Sequence, residues 1–194
     1  MKTILPLLIA AAGLFLAPAR TGAAPDNLLL NPSFEYETAA DFHSCVYWTL
    51  NQPDPHGGFY GSVRRENWRA RDGYYAMAIR GTWAGAGDFG GFWQEVPAAP
   101  DATCRFSAWT WTDAAWTAQT CEIKIEFWNA DHSRMIEPCA LPLKNTGESW
   151  QESVLEATAP AETAWVRVVV NIADAGPEGS LLVDSVALRI NSGL

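Results

Sequence analysis

Apolar and polar residues alternate along much of this chain with a period of two. Residues 120–128 put Cys121, Ile123, Ile125 and Phe127 on one side and Glu122, Lys124, Glu126 and Trp128 on the other. Residues 164–172 set Val166, Val168, Val170 and Ile172 against Trp165, Arg167, Val169 and Asn171, and residues 103–112 set Cys104, Phe106 and Ala108 against Arg105, Ser107, Trp109 and Trp111. This is the signature of strands with one buried face. Further strands are predicted at 28–30, 74–80, 92–96, 135–141, 149–157 and 179–190. They are punctuated by turn chemistry at Asn31-Pro32, Pro100-Asp101 and Asn129-Ala130-Asp131-His132. Residues 36–72 read as irregular, and residues 85–91 as a glycine-rich loop. About nine strands with no helical period between them predict an all-β fold, a two-sheet antiparallel β-sandwich of the jelly-roll type.

The first 24 residues stand apart. Lys2 precedes an apolar stretch, and Ala17-Pro18-Ala19 offers the small residues a signal peptidase reads. We therefore expect residues 1–24 to be a signal peptide, residues 25–194 to be one domain, and the protein to be secreted. No stretch approaches the ~18 uninterrupted apolar residues of a membrane span. The formal charge is -9, and loss of Lys2 and Arg20 makes it more negative. That argues against nucleic acid or an anionic membrane as partner, and against anionic polysaccharides unless basic side chains cluster locally. A monomer is expected.

The four cysteines, Cys45, Cys104, Cys121 and Cys139, suggest two disulfides in an exported chain, with three connectivities open. One of them pairs Cys121 with Cys139 across a hairpin and leaves Cys45 with Cys104; buried free thiols are the alternative. No C-x-x-C spacing points to zinc. Ten Trp residues exceed what one small core easily hides.

Several segments carry a resemblance. Asn27-Leu28-Leu29-Leu30-Asn31-Pro32-Ser33-Phe34-Glu35, Gly73-Tyr74-Tyr75-Ala76, Phe92-Trp93-Gln94-Glu95-Val96-Pro97, Arg105-Phe106-Ser107-Ala108-Trp109, Ile125-Glu126-Phe127-Trp128 and Leu181-Leu182-Val183-Asp184-Ser185-Val186 together resemble carbohydrate-binding modules of the bacterial cellulase- and xylanase-associated type. These belong to the galactose-binding-like jelly rolls. The resemblance implies a two-sheet jelly roll, a structural calcium ion and a sugar-binding surface lined by aromatics. It also implies Glu35 and Asp184 as side-chain ligands of Ca²⁺, with backbone oxygens from Ser33 and near Gly73. The chain departs from the pattern in its long segment 36–72.

The residues alone mark Asp184 as anomalous. It shares parity with Leu182, Val186 and Leu188, so a regular strand would aim its carboxylate at the core, where it needs a partner. Glu35 and the Asp72-Gly73 turn offer further oxygens of the kind Ca²⁺ takes. Acceptance of turn amides, an Arg partner, or a bulge that turns Asp184 outward are the alternatives.

For a sugar ligand, Trp stacks on C–H faces while charged and amide side chains bond hydroxyls. Trp109 and Trp111 sit two residues apart, about 6.8 Å along a strand. Trp128 and Trp165 extend the surface, with Arg105, Glu126, Arg167 and Asn171 as polar contacts. The expected ligand is a β-glucan- or xylan-class polysaccharide. Trp48, Trp68, Trp83, Trp93 and Trp116 lie in or near loops and compete as contacts; loops folded over the Trp109–Trp111 face would instead bury it. Catalysis is the weaker reading. Glu122 and Glu126 lie about 13 Å apart along one strand, too far for a glycosidase pair, which leaves a cross-strand pair such as Glu126 with Glu95. His43, His56 and His132 are scattered. A lyase and a cell-surface adhesion module are the remaining alternatives.

Overall fold

The computed structural model describes residues 27–37, 44–51, 63–80 and 89–191; the predicted signal peptide, His43, His56, Trp83 and the loop 85–88 lie outside them. Ten strands occur among the described residues: β1 (Thr49–Asn51), β2 (Val63–Glu66), β3 (Ala76–Arg80), β4 (Phe89–Pro97), β5 (Thr103–Thr112), β6 (Ala118–Trp128), β7 (Met135–Pro142), β8 (Gln151–Thr158), β9 (Trp165–Ala175) and β10 (Ser180–Asn191). They form two five-stranded sheets, ordered β1-β4-β9-β6-β7 and β2-β3-β10-β5-β8. Every pairing is antiparallel. The all-β sandwich expected from the alternation is the fold. We name its halves the β9 sheet and the β10 sheet after their central strands.

The core lies between them and uses the predicted parity. Ile123, Ile125 and Phe127 of β6 and Val166, Val168, Val170 and Ile172 of β9 face Phe106 and Ala108 of β5 and Leu181, Val183, Val186 and Leu188 of β10. Truncating one of the large members removes apolar burial and leaves a cavity, at a cost of about 2–5 kcal/mol.

The strand predicted at 28–30 is instead an irregular segment laid along β10. The Leu28 amide bonds the Leu188 carbonyl at 2.9 Å, and the Asn27 side chain brackets β10 by donating to Val186 O at 2.8 Å and accepting from the Leu188 amide at 3.0 Å. The chain turns at Asn31, φ 52°, whose amide group bonds both main-chain groups of Tyr36. That turn drives Phe34 into the core against Trp48 and Phe92, ring centroids 5.3 and 5.5 Å apart. It also leaves Glu35 beside the β2–β3 loop. Arg65, 1 % exposed, locks this entry by donating to the carbonyls of Phe34 at 2.7 Å and Glu35 at 2.9 Å. The segment read as irregular thus contains two short strands and a buried arginine.

The expected disulfides are absent; all four thiols are free. Register explains the absence of the pairing of Cys121 with Cys139 and Cys45 with Cys104. Cys139 stands opposite Ile125, four residues along β6 from Cys121, or about 13 Å, beyond disulfide reach. Cys45 lies in the neighbourhood of Arg65. Arg65 shares a row with Met77, Val183 and Thr110, and Thr110 is six residues along β5 from Cys104, about 20 Å. Burial pushes the Cys45 thiol up to about 12 and those of Cys104 and Cys121 up to about 11, so all three stay protonated and unreactive.

Candidate functional site

The eight side chains expected on one sugar surface divide between two. Arg105, Trp109 and Trp111 belong to β5, on the outer face of the β10 sheet; Glu126 and Trp128 of β6 and Trp165, Arg167 and Asn171 of β9 belong to the β9 sheet. The faces point away from each other across the core, so no single ligand groove spans both. Strand parity says which side of a strand a residue takes, but not which sheet the strand joins.

The β10 face is covered. Trp111 is 3 % exposed. Trp68 meets it edge-on, centroids 5.8 Å apart, and the Arg69 guanidinium lies 4.3 Å from its ring centre. Arg71 lies 3.8 Å from the ring centre of Trp109. The β2–β3 loop therefore runs over the two indoles. Its Arg-x-Arg spacing matches the Trp-x-Trp spacing below, and each cation takes one π face. Trp109 and Trp111 do not form the open platform the sequence suggested. Arg105 pairs with Glu156 at 3.1 Å, away from this cover.

The β9 face has a different character. Three rows cross it in register. Pro97, Trp165 and Trp128 form one. Glu95, Arg167 and Glu126 form the next, then Trp93, Val169 and Lys124. Asn171 and Glu122 pair beyond them. Arg167 organises the centre. It bonds Glu95 Oε2 through Nη2 at 3.0 Å, and its guanidinium lies 3.9 Å from the ring centre of Trp93 and 4.6 Å from that of Trp128. Glu126 accepts from the Trp128 indole at 3.2 Å and pairs with Lys124 at 3.3 Å. Asn171 donates to Glu122 at 3.1 Å. His132, on the β6–β7 turn, stacks on Trp165 with centroids 5.1 Å apart and reaches Glu95 Oε1 at 2.7 Å.

The sequence reading kept Trp93, in the strand predicted at 92–96, only as a competing contact and left Glu122, Lys124, Glu95 and His132 out of the binding site. The signal for Trp93 and Glu95 was present: Trp93-x-Glu95 repeats the spacing of Trp165-x-Arg167. The site is half-buried, its charged side chains keeping 12 % (Glu126) to 21 % (Lys124) exposure, and its polar groups hold one another in place before any ligand arrives. Such a surface offers indole faces to apolar C–H groups and fixed donors and acceptors to hydroxyls. It is poorly arranged for glycoside cleavage. Glu95 and Glu126 stand two strand spacings apart, about 9.5 Å between backbones, and Arg167 fills the gap where an inverting pair would hold water.

On the β10 side, Ser33, Glu35 and Asp184 each contact a different part of the 71–75 turn, which contains Gly73. A bulge between Asp184 and Ala187 puts Asp184 on the outer side with Leu182, while Val186 and Leu188 return to the core. Its burial, 0 % exposed, comes from the turn above it. Oδ2 accepts the amides of Arg71 at 2.7 Å and Asp72 at 2.9 Å, and Oδ1 that of Ser185 at 2.6 Å. Desolvation nonetheless pushes the carboxyl up to about 6. Glu35 Oε1 accepts the amides of Tyr74 and Tyr75, each at 3.0 Å. Gly73 has φ +69°, a conformation that favours glycine, and a Cβ there would stand 2.4 Å from that oxygen and push the Glu35 side chain aside. Ser33 Oγ lies 3.5 Å from Asp72 Oδ2. The donor set is all oxygen, as Ca²⁺ requires. Three backbone amides are the partners of Asp184, the acceptance of turn amides that the sequence left open, and among the described residues no group of three or more His, Cys, Asp or Glu is placed to hold a metal ion.

No family model and no curated protein matches the sequence. Solved structures do. The enzymatically active domain of tailspike protein 4 from bacteriophage CBA120 matches with a TM-score of 0.64 at 16% identity over 86% of this chain, which spans 22% of the tailspike chain. The carbohydrate-binding module TmCBM61, solved with β-1,4-galactotriose, matches with a TM-score of 0.57 at 18% identity, over 85% of this chain and 99% of the module. A Stig cyclase from Fischerella sp. TAU, solved with an indole derivative, matches with a TM-score of 0.57 at 11% identity, over 89% of this chain and 100% of the cyclase. At these identities the likeness is one of fold: the chain has the β-sandwich jelly roll found in several carbohydrate-binding modules and also in enzymes.

Proposed function

We propose that this protein is a secreted, non-catalytic carbohydrate-binding module that holds a β-glucan- or xylan-class polysaccharide on the outer face of its β9 sheet. The observation that carries this is the contact of the Arg167 guanidinium, itself fixed by Glu95, with both Trp93 and Trp128, and the placement of Trp165 opposite Trp128 in register. Indoles for C–H faces and pre-oriented polar groups for hydroxyls are what a neutral glycan demands. The carbohydrate-binding modules that share the fold support the same reading. Retention of the chain in gels containing xylan or mixed-linkage β-glucan tests it. Replacing Trp93 and Trp128 together by Ala should remove the retardation while the far- and near-ultraviolet circular dichroism stays native. Unchanged retardation sinks the assignment, and release of reducing ends from the same polysaccharides would convert the module into an enzyme.

Calcium belongs to this proposal as a structural ion. Glu35 and Asp184 would hold it with oxygens of Ser33 and the Gly73 turn, neutralise the buried carboxylate, and fix the β2–β3 loop. The ion supplies charge and coordination there and takes no part in ligand chemistry.

A further inference from the structure

The acidic composition argued against anionic polysaccharides unless basic side chains cluster locally, and on the outer face of the β10 sheet they do. Arg64 of β2, Arg80 of β3, Arg69 and Arg71 of the covering loop, Arg105 of β5 and Arg189 of β10 share that side of a chain whose formal charge is -9. Carboxylates on the same side answer part of this charge: Glu152 stands opposite Trp109, Asp184 lies under the loop, and Arg189 has a partner of its own. Glu66 serves both Arg64 at 2.5 Å and Arg80 at 3.3 Å, and Glu156 serves Arg105. Arg69 and Arg71 have no carboxylate partner among the described residues; each lies on an indole. Arg105 and Arg189 stand directly opposite each other in register, a like-charge pairing that disfavours a bare sheet.

Two further observations point to a ligand rich in acceptors. Trp111 Nε1, on a residue 3 % exposed, and Arg80 Nε are buried donors with no acceptor among the described residues. Trp68 at 44 % and Tyr74 at 79 % exposure hold aromatic rings out to solvent on the same loop. Arg105, Arg71 on Trp109 and Arg69 on Trp111 line up along β5 over about 20 Å, the spacing of a linear ligand with repeated negative charge.

We propose that the outer face of the β10 sheet is a second binding site, for an acidic polysaccharide bearing uronate carboxylates. Guanidinium groups pair with carboxylates in a planar, bidentate fashion. Trp68 and Tyr74 stack on the sugar C–H faces, and a carboxylate that draws Arg69 off Trp111 supplies the acceptor the indole lacks. This site goes beyond the neutral-glycan reading of the β9 face and stands or falls separately from it.

Calorimetric titration of the full chain with oligogalacturonate, its fully methyl-esterified form, a neutral xylo-oligosaccharide and poly-glutamate tests the proposal. Oligogalacturonate should bind at low salt and weaken steeply as salt rises. Esterification should weaken it by at least about tenfold. Trp68→Ala and Arg189→Gln, both at exposed side chains, should each reduce uronate affinity severalfold and leave xylo-oligosaccharide binding intact. Equal affinity for acid and ester overturns the proposal. So does poly-glutamate binding as tightly as the uronate, which would make the face a dock for an acidic protein. Loss of uronate binding in the Trp93→Ala, Trp128→Ala variant would move the ligand to the β9 face and overturn it equally.

Discussion

The two outer faces of this sandwich use the same residue types in opposite ways. On the β9 face, one arginine serves two indoles: Arg167 lies between Trp93 and Trp128 and is tied to Glu95 on the neighbouring strand. On the β10 face two arginines serve two indoles, but they descend from a loop, so Arg69 and Arg71 become a cover over Trp111 and Trp109. Arginine supplied from within the sheet organises a surface, whereas arginine supplied from above roofs one. The difference also divides the energetics. Indoles under the loop contribute mainly to stability, whereas those of the β9 face are half-buried and keep part of their rings in solvent.

The largest expected break in this comparison comes from Trp111→Ala. It removes a buried ring that meets Trp68 and belongs to a small outer cluster with Ala76, Ala78 and Leu182, against which Trp150 packs, and should lower unfolding free energy by about 3–5 kcal/mol, measured by denaturant titration, while the folded fraction still binds xylan. Normal stability would mean that the roof is not packed as described.

Next comes the pH response of the roof's anchor. The Asp184 carboxyl is raised to about 6 by burial, so the folded state takes up a proton that the unfolded state has already released. Its contribution to stability is complete below the ordinary aspartate value and is lost as pH rises through 6. In chelator, wild-type protein should lose about 2 kcal/mol relative to Asp184→Asn between pH 4 and 7. Added calcium should reverse that loss by holding the carboxylate ionised. Parallel wild-type and variant profiles, with and without calcium, would remove both the shift and the metal.

On the other face, Trp93→Ala should weaken xylan or β-glucan binding by about tenfold, or 1.4 kcal/mol, with thermal stability close to wild type. A large fall in melting temperature without loss of affinity would make this face a second core instead of a site. The smallest effect is expected for Arg105→Ala, whose partner Glu156 is well exposed: a stability change within about 0.5 kcal/mol.

Much of this was legible in the sequence, and the misses share a cause. Alternation of period two is a local property. It gave the strands from 74 to 190 and the inward side of β5, β6 and β9 because a sheet enforces that period wherever one face is buried. The stretch Asn27–Glu35 was recognisable as a unit but not as a non-strand, since its conformation rests on the Asn27 and Asn31 side chains bonding residues of β10 and of the 36–46 segment. Asp184 stood out as a carboxylate in an apolar strand; that a bulge turns it outward, and that the 71–75 turn then buries it, depends on β5 and on residues more than a hundred positions earlier.

The sequence by itself determined an all-β sandwich and its core-facing residues, because side-chain parity is written residue by residue. Only the tertiary structure decided which sheet each strand enters. It thereby separated Trp109 and Trp111 from Trp128 and Trp165, kept the four thiols apart and laid two arginines over two tryptophans. Sheet membership is fixed by which strands hydrogen-bond across long stretches of chain, and no period within a single strand encodes that choice.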